Sequence, residues 1–239
     1  MANPPDDKYA IHAAAREGRL AAVEALLANN PSLATLRDPD SRLALHWAAA
    51  YAHADIVRLL SSSKNFDPDA TDASDWTALM MASSLKDDAG LEIVQFLLQK
   101  EAEPKAVSSS GATALHFASS KGSLEVCRVL LKAGAGARVR DRRAQVPLHR
   151  AAAVGSVPIV RLLLEHKSPV NGGDVDGMTP LHQAISEGHG DVAVELLKAG
   201  ADTDKRDSDG RTALDCAPDK KVREFVEQAA AREGIELGE

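Results

Sequence analysis

Aromatic residues are scarce in this chain: two Trp, two Tyr and four Phe among 239 residues. So few large rings cannot plug the centre of one wide core, which leaves the packing to Ala and Leu. Cysteine is scarcer still. Cys127 and Cys216 stand 89 positions apart, too few and too scattered for a disulfide framework or a four-ligand zinc site, so a reducing compartment is expected. No apolar run reaches the roughly 18 residues of a membrane span. The start, Met1 to Lys8, is polar, acidic and proline-containing, unlike a secretory signal, and the expectation is a soluble intracellular protein with no membrane partner. Against these absences, 44% of the chain is hydrophobic and 26% charged, a balance that folds.

The net charge of −7 hides a pattern. The segment through Lys105 carries a net of −6, residues 106–164 a net of +7, and the remainder −8. A basic island between acidic flanks suggests a charge-patterned partner; the alternative is unevenly distributed solvated faces.

Self-similarity decides the architecture. One phrase recurs: Ile11-His12-Ala13-Ala14, Leu45-His46-Trp47-Ala48, Leu79-Met80-Met81-Ala82, Leu115-His116-Phe117-Ala118, Leu148-His149-Arg150-Ala151, Leu181-His182-Gln183-Ala184 and Leu214-Asp215-Cys216-Ala217. The leading apolar residues are spaced by 34, 34, 36, 33, 33 and 33 residues. A second apolar burst, such as Ile56-Val57-Arg58-Leu59-Leu60 or Ile159-Val160-Arg161-Leu162-Leu163-Leu164, follows most leads and reads as a buried helix stripe. Between the two helices stand Gly18, Gly122, Gly155 and Gly188, where a helix must stop and the chain reverse through a left-handed residue. Ahead of the leads, Asp174-Val175-Asp176-Gly177 and Asp207-Ser208-Asp209-Gly210 carry tight-turn chemistry. Each unit is therefore turn, helix, turn, helix.

Thr179-Pro180-Leu181-His182 nearly matches the signature of the ankyrin repeat, which the chain resembles from Tyr9 to about Glu227. The resemblance implies an all-α, ankyrin-repeat solenoid of seven helix-turn-helix units joined by β-turn fingers. One domain over residues 1–239 is expected, with units at approximately 4–37, 38–71, 72–107, 108–140, 141–173, 174–206 and 207–239. Extra residues at Lys86-Asp87-Asp88-Ala89-Gly90 and in the loop Ser61 to Asp75 are expected on the surface. Asn3 to Lys8 and the charged Lys220–Phe225 segment read as caps.

Five histidines, His12, His46, His116, His149 and His182, occupy the same position of successive units. A catalytic group is needed once, so a periodic His reads as structural. No phosphate loop, HExxH, paired-Cys spacing or Gly-x-Ser-x-Gly elbow is present in the sequence, so no enzyme and no cofactor are expected.

Stacked repeats offer a concave binding surface instead. In proteins of this fold the exposed inner sites lie three, five and six residues before each lead and five and six after it. Here that rule selects Arg16, Glu17, Asp40, Arg42, Tyr51, Ser74, Trp76, Leu85, Lys121, Arg142, Arg143, Gln145, Asp176, Met178, Glu187, Asp209 and Arg211. Trp76 falls on a turn tip and is a candidate anchor, or else a turn residue packed on its neighbour. Trp47 and Phe117 read as packing between repeats. Arg138, Arg140, Arg142 and Arg143 form the densest cationic run, suited to carboxylates or phosphates, or else a solvated turn.

A narrower resemblance rests on Pro31-Ser32-Leu33-Ala34-Thr35, Asp38-Pro39-Asp40-Ser41-Arg42, Asp141 to Ala152 with Gly155-Ser156, and Ala184 to Asp191. These are similar to the gankyrin family of proteasome-assembly chaperones, and to its fungal members in the later segments. That resemblance implies a non-enzymatic chaperone, cytoplasmic and nuclear, monomeric when free. Its partner would be the C-terminal domain of a proteasomal ATPase, regulatory particle triphosphatase subunit 3, gripped on the concave face. Carried over by position, it points to Asp40, Arg42, Asp72, Trp76 and Lys121. Asp72-Ala73-Ser74-Asp75-Trp76 departs from the family's acidic-Gly-Trp form, so Asp72 and Asp75 both stand as candidates. The Leu-x-Cys-x-Glu motif that binds retinoblastoma protein in the animal member is replaced by Leu181-His182-Gln183-Ala184-Ile185, and that partner is not carried over. The other reading of the fold is a generic scaffold in transcriptional or cell-cycle regulation. Overall acidity argues against a nucleic-acid partner: labelled DNA or RNA should not be retarded at moderate salt, and a shifted band would reverse this reading.

Overall fold

The computed structural model describes residues 8–235 and 237; the expectations for Asn3–Asp7, and the outer unit limits at 4 and 239, lie outside the described residues. Six units fold as helix pairs. They are α1 (Ala10–Arg16) with α2 (Leu20–Asn29), α3 (Ala44–Ala50) with α4 (Ala54–Leu60), α5 (Ala78–Ser83) with α6 (Leu91–Gln99), α7 (Ala114–Lys121) with α8 (Leu124–Lys132), α9 (Pro147–Ala153) with α10 (Val157–Glu165), and α11 (Pro180–Ser186) with α12 (Gly190–Lys198). The seventh unit differs from the expected pair. Its first helix is a single 3-10 turn, Leu214–Cys216, before α13 (Lys220–Arg232). Pro218 stands two residues beyond that turn; lacking an N–H and clashing with the preceding turn, it stops the helix after one turn.

The short inner helices α1, α3, α5, α7, α9 and α11 pack side by side, and each leans on its own outer helix. Ala14, Ala48, Ala82, Ala118, Ala151 and Ala184, three residues past the first six leads, are all buried. Their small size lets neighbouring helices approach closely, which is how a chain poor in aromatics excludes water. Gly18, Gly122, Gly155 and Gly188 take φ of +71° to +80° as the turn requires, and Ala52 takes this role in the second unit at +61°. The segment Lys86–Gly90 that holds the extra residues is surface loop at Lys86 and Asp87, but Gly90 is buried. A Cβ on Gly90 would stand 2.0 Å from the Ala82 carbonyl oxygen, so this glycine is fixed by close approach of two backbones.

Five of the six fingers between units are built by one device. The carboxylate of Asp38 accepts N–H bonds from Asp40 (3.0 Å) and Arg42 (2.8 Å) through Oδ1, and Asp72, Asp141, Asp174 and Asp207 repeat the pattern. Neighbouring fingers are joined by single backbone bonds, Ala73 to Asp40, Ser109 to Ser74, Arg142 to Ser110, Val175 to Arg143 and Ser208 to Asp176. Each finger tip needs a left-handed residue, which is Gly at 111, 177 and 210 but Ser41, Asp75 and Ala144 elsewhere.

The repeated histidines tie units together. In His46, Nδ1 accepts the Leu43 N–H at 3.0 Å, which puts the proton on Nε2. From there it reaches the carbonyls of Ala70 (2.9 Å), at the end of its own unit, and Trp76 (3.1 Å) in the next. His116, His149 and His182 bond the carbonyls of Gln145, Met178 and Arg211 in the same manner, and His12 those of Leu36 and Arg42. Burial pushes the pKa of His46, His116, His149 and His182 down, keeping them neutral. These four therefore contribute stability that is complete above the unfolded-state His range and declines as pH falls through the depressed folded values. The urea midpoint should drop between pH 7.5 and 5.5, and a flat profile would contradict the relay. By the same logic His149→Ala should cost about 3 kcal/mol, whereas Ala144→Gly, relieving a left-handed alanine, should add about 1 kcal/mol.

Candidate partner-binding surface

The inner helices and the fingers form one continuous face, and the buried network behind it decides which charges reach solvent. Each finger aspartate has a second oxygen. Asp38 Oδ2 accepts the Trp47 indole N–H (2.8 Å), Asp72 Oδ2 the Arg42 Nε (3.0 Å), Asp141 Oδ2 the Arg150 guanidinium (2.7 Å) and Asp174 Oδ2 the Gln145 amide (2.8 Å). Burial pushes the Asp72 carboxyl up. The Trp76 amide, the Arg42 guanidinium and the Ser74 amide together outweigh it, leaving the group below the usual carboxylate range.

The structure accordingly sorts the sequence-selected residues. Asp72 and Gln145 are buried, 5% and 7% exposed, and their polar atoms serve the fingers rather than facing outward. Arg140 donates to the Ala144 (2.8 Å) and Gly173 (2.9 Å) carbonyls and so staples two fingers. Arg143 pairs with Asp176 at 2.8 Å, and Arg211 with Asp207 and Asp209. Met178 is half-buried, its sulfur accepting from Gln183 at 3.7 Å. Arg42 lies between Asp72 and the Trp47 ring, 4.9 Å from the ring centroid.

Fully presented are Asp40, Tyr51, Asp75, Lys121, Arg142 and Glu187. Among the described residues, the side chains of Asp40, Asp75, Lys121 and Arg142 have no hydrogen bond or ion pair. The expected polarity thus persists as two free acids on early fingers and two free cations on the fourth and fifth units, while two of the four residues of the dense arginine run, Arg140 and Arg143, are engaged internally.

The half-buried Trp76 stacks on Phe117 of the next unit, with centroids 4.1 Å apart and planes at 34°. Trp47 lies beside Tyr51 at 6.3 Å and beneath Arg16 at 5.8 Å. Phe117 and Trp47 pack between repeats as expected, yet both also line the concave face. A signal was available: the same register holds Arg150 and Gln183 in later units, residues that would not be placed in a core. A cavity of about 200 Å³ opens beside Trp47, between Tyr9, Arg16 and Pro39. Among the described residues no group of three His, Cys, Asp or Glu could hold a metal, and no helix is long and apolar enough to cross a membrane.

Stacked helix pairs, a row of linked fingers and a continuous inner face define a repeat solenoid of the protein-interaction class. The chain matches the ankyrin-repeat sequence family in three copies, over residues 1–72, 64–143 and 134–207, and belongs to that family. Its fold is similar to that of the ankyrin-repeat domain of human ASB11, with a TM-score of 0.79 and 25% identity across 95% of this chain and 98% of that one. It is 40% identical over 117 residues to a probable 26S proteasome regulatory subunit p28 of Saccharomyces cerevisiae, covering 47% of this chain and 50% of that protein. It is 38% identical over 102 residues to ankyrin repeat-containing protein C6C3.08 of Schizosaccharomyces pombe, covering 43% and 44%. The chain spans about half the length of the curated relatives it matches. Ankyrin-repeat folds typically act as non-enzymatic interaction scaffolds.

The division between scaffold and presented charge is measurable by urea unfolding. Asp141→Ala removes the acceptor of two finger amides and of Arg150, and should cost about 3 kcal/mol. Arg142→Glu, one finger residue away, should change stability by less than about 0.5 kcal/mol.

Proposed function

We propose that this protein is a non-enzymatic assembly chaperone of the 26S proteasome regulatory particle. It would clamp the C-terminal domain of the base ATPase regulatory particle triphosphatase subunit 3 on its concave face, and act as a monomer in cytoplasm and nucleus. The observation that carries this reading is the polarity of unpaired charge along that face: Asp40 and Asp75 on the fingers that open the second and third units, Lys121 and Arg142 on the fourth and fifth units. The kinship with the yeast p28 regulatory subunit supports the choice of the proteasome.

The mechanism is steric occupancy guided by complementary charge. A partner surface with cations toward the early fingers and carboxylates toward the fifth would be drawn in quickly and oriented by the field. The Trp76–Phe117 pair then offers a desolvated anchor that slows release. Blocking of premature docking on the proteolytic core follows from occupying the ATPase during assembly.

Calorimetric titration against the isolated C-terminal domain of each of the six proteasomal ATPases, at two salt concentrations, tests the proposal. Tight binding to one subunit, weakened on the order of tenfold by high salt, is expected. Arg142→Glu with Arg143→Glu should weaken it far more than reversing Arg161, which lies on the outer helix α10 paired with Glu195. Equal effects would place the contact on the wrong face, and binding to none of the six would return the chain to the class of generic scaffolds.

A further inference from the structure

Five of the six junctions between units carry the buried histidine bond, and the junction between the third and fourth does not. There Met80, only 1% exposed, stands where His is expected. A thioether cannot donate, so the Ala112 carbonyl, which occupies the position of Arg42, Trp76, Gln145, Met178 and Arg211, accepts among the described residues only the local Ser108 N–H. The same junction departs from the pattern twice more. Its finger begins with Ser108 in place of Asp, and the Ser108 hydroxyl meets the Ser110 hydroxyl at 2.9 Å instead of capping finger amides. The side chains that elsewhere engage the aspartate are here Trp76 and Phe117, which stack on each other.

The attachment has moved to the outer turn. The inserted loop holds two consecutive left-handed aspartates, Asp87 and Asp88, both at φ +54°. Asp88 Oδ1 accepts the Val126 N–H of α8 at 3.0 Å, and the Ser123 hydroxyl donates to the Leu85 carbonyl at 2.9 Å. Finger side-chain bonds that join the second unit to the third (Arg42 to Asp72) and the fifth to the sixth (Gln145 to Asp174) have no counterpart here among the described residues. What remains on the inner side, besides the apolar packing of α5 on α7, is one backbone bond, Ser109 to Ser74, and the aromatic stack. A stack holds by dispersion over a broad range of offsets and angles, whereas a buried N–H bond fixes distance and direction.

We propose that this junction is a hinge. Units one to three and units four to seven rock as two blocks about the pinned loop at residues 85–90, opening and closing the concave face while Trp76 and Phe117 slide over one another. The inference concerns the chain's own mechanics and holds whichever partner the face takes.

Distances between paired spin labels test it in the full chain. Cys216→Ser removes the accessible thiol, and Cys127 is fully buried with its pKa pushed up to about 12, so it stays unlabelled. Labels at Tyr51 and Lys121 span two units across the junction. Labels at Lys121 and Glu187 span two units beyond it. All three sites end inner helices and are exposed. The first distance distribution should be at least about twofold wider than the second, Met80→His should narrow it to the width of the second, and Asp88→Ala should widen it further. Equal widths in the parent chain overturn the hinge without recourse to either variant. So does a folded Met80→His that leaves the wide distribution unchanged, or an Asp88→Ala that leaves the pivot intact.

Discussion

A solenoid has no centre, so each unit is stable only through its neighbours, and in this chain the bond that carries that dependence is the one from a buried imidazole to the next unit's carbonyl. Histidine suits it because a neutral ring offers an acceptor on one side and a donor on the other, at fixed separation and without charge. His116 shows both halves: Nδ1 receives the Thr113 backbone N–H and its hydroxyl, and Nε2 reaches Gln145. An amide side chain could supply both functions only at the loss of more rotamer freedom. Desolvation holds the ring neutral, which is the state the geometry needs. Fold and protonation state are thus one constraint.

The finger aspartates impose a second. One oxygen closes the turn and the other is left with a buried lone pair that must be met, so the side chain facing it is never free to vary alone. Trp47, Arg42, Arg150 and Gln145 are four different answers to this demand. At the fourth finger the facing side chains are Trp76 and Phe117, which stack on each other, and there the aspartate itself gives way to Ser108. Much of the charge counted in the sequence is consequently structural. What is left for a partner is the sparse set of side chains at finger tips and inner-helix ends.

This explains which parts were legible. The periodic Leu, His and Gly residues fix the units because each meets a requirement local to its own repeat. The fate of Arg140, Asp72 or Gln145 depends on a group about 30 residues away, and on whether a side chain reaches it, which spacing alone does not state. The dense cationic run therefore read as a patch although Arg140 staples carbonyls and Arg143 is neutralised by Asp176. Phe117 was legible only through comparison across registers, since a lone apolar residue on a helix resembles core until its counterparts prove polar. The seventh unit's lost helix was written in Pro218 but masked by the intact Leu214–Ala217 phrase.

The two constraints act on different motions. Histidine bonds and finger aspartates resist shear between units, since any sliding breaks short, directed contacts. Contacts among Ala and Leu resist separation but tolerate small rotations. A face meant to grip a large folded surface needs charges held in register within each half, yet a curvature that can follow the partner. Concentrating the directed side-chain bonds within the halves, and leaving mainly dispersion on the inner side of one junction, meets both needs without an unstructured linker. The exceptions at Met80 and Ser108 are then consistent with each other: each removes a directed contact from the same interface, while the loop at Asp88 keeps that interface from parting on its outer side.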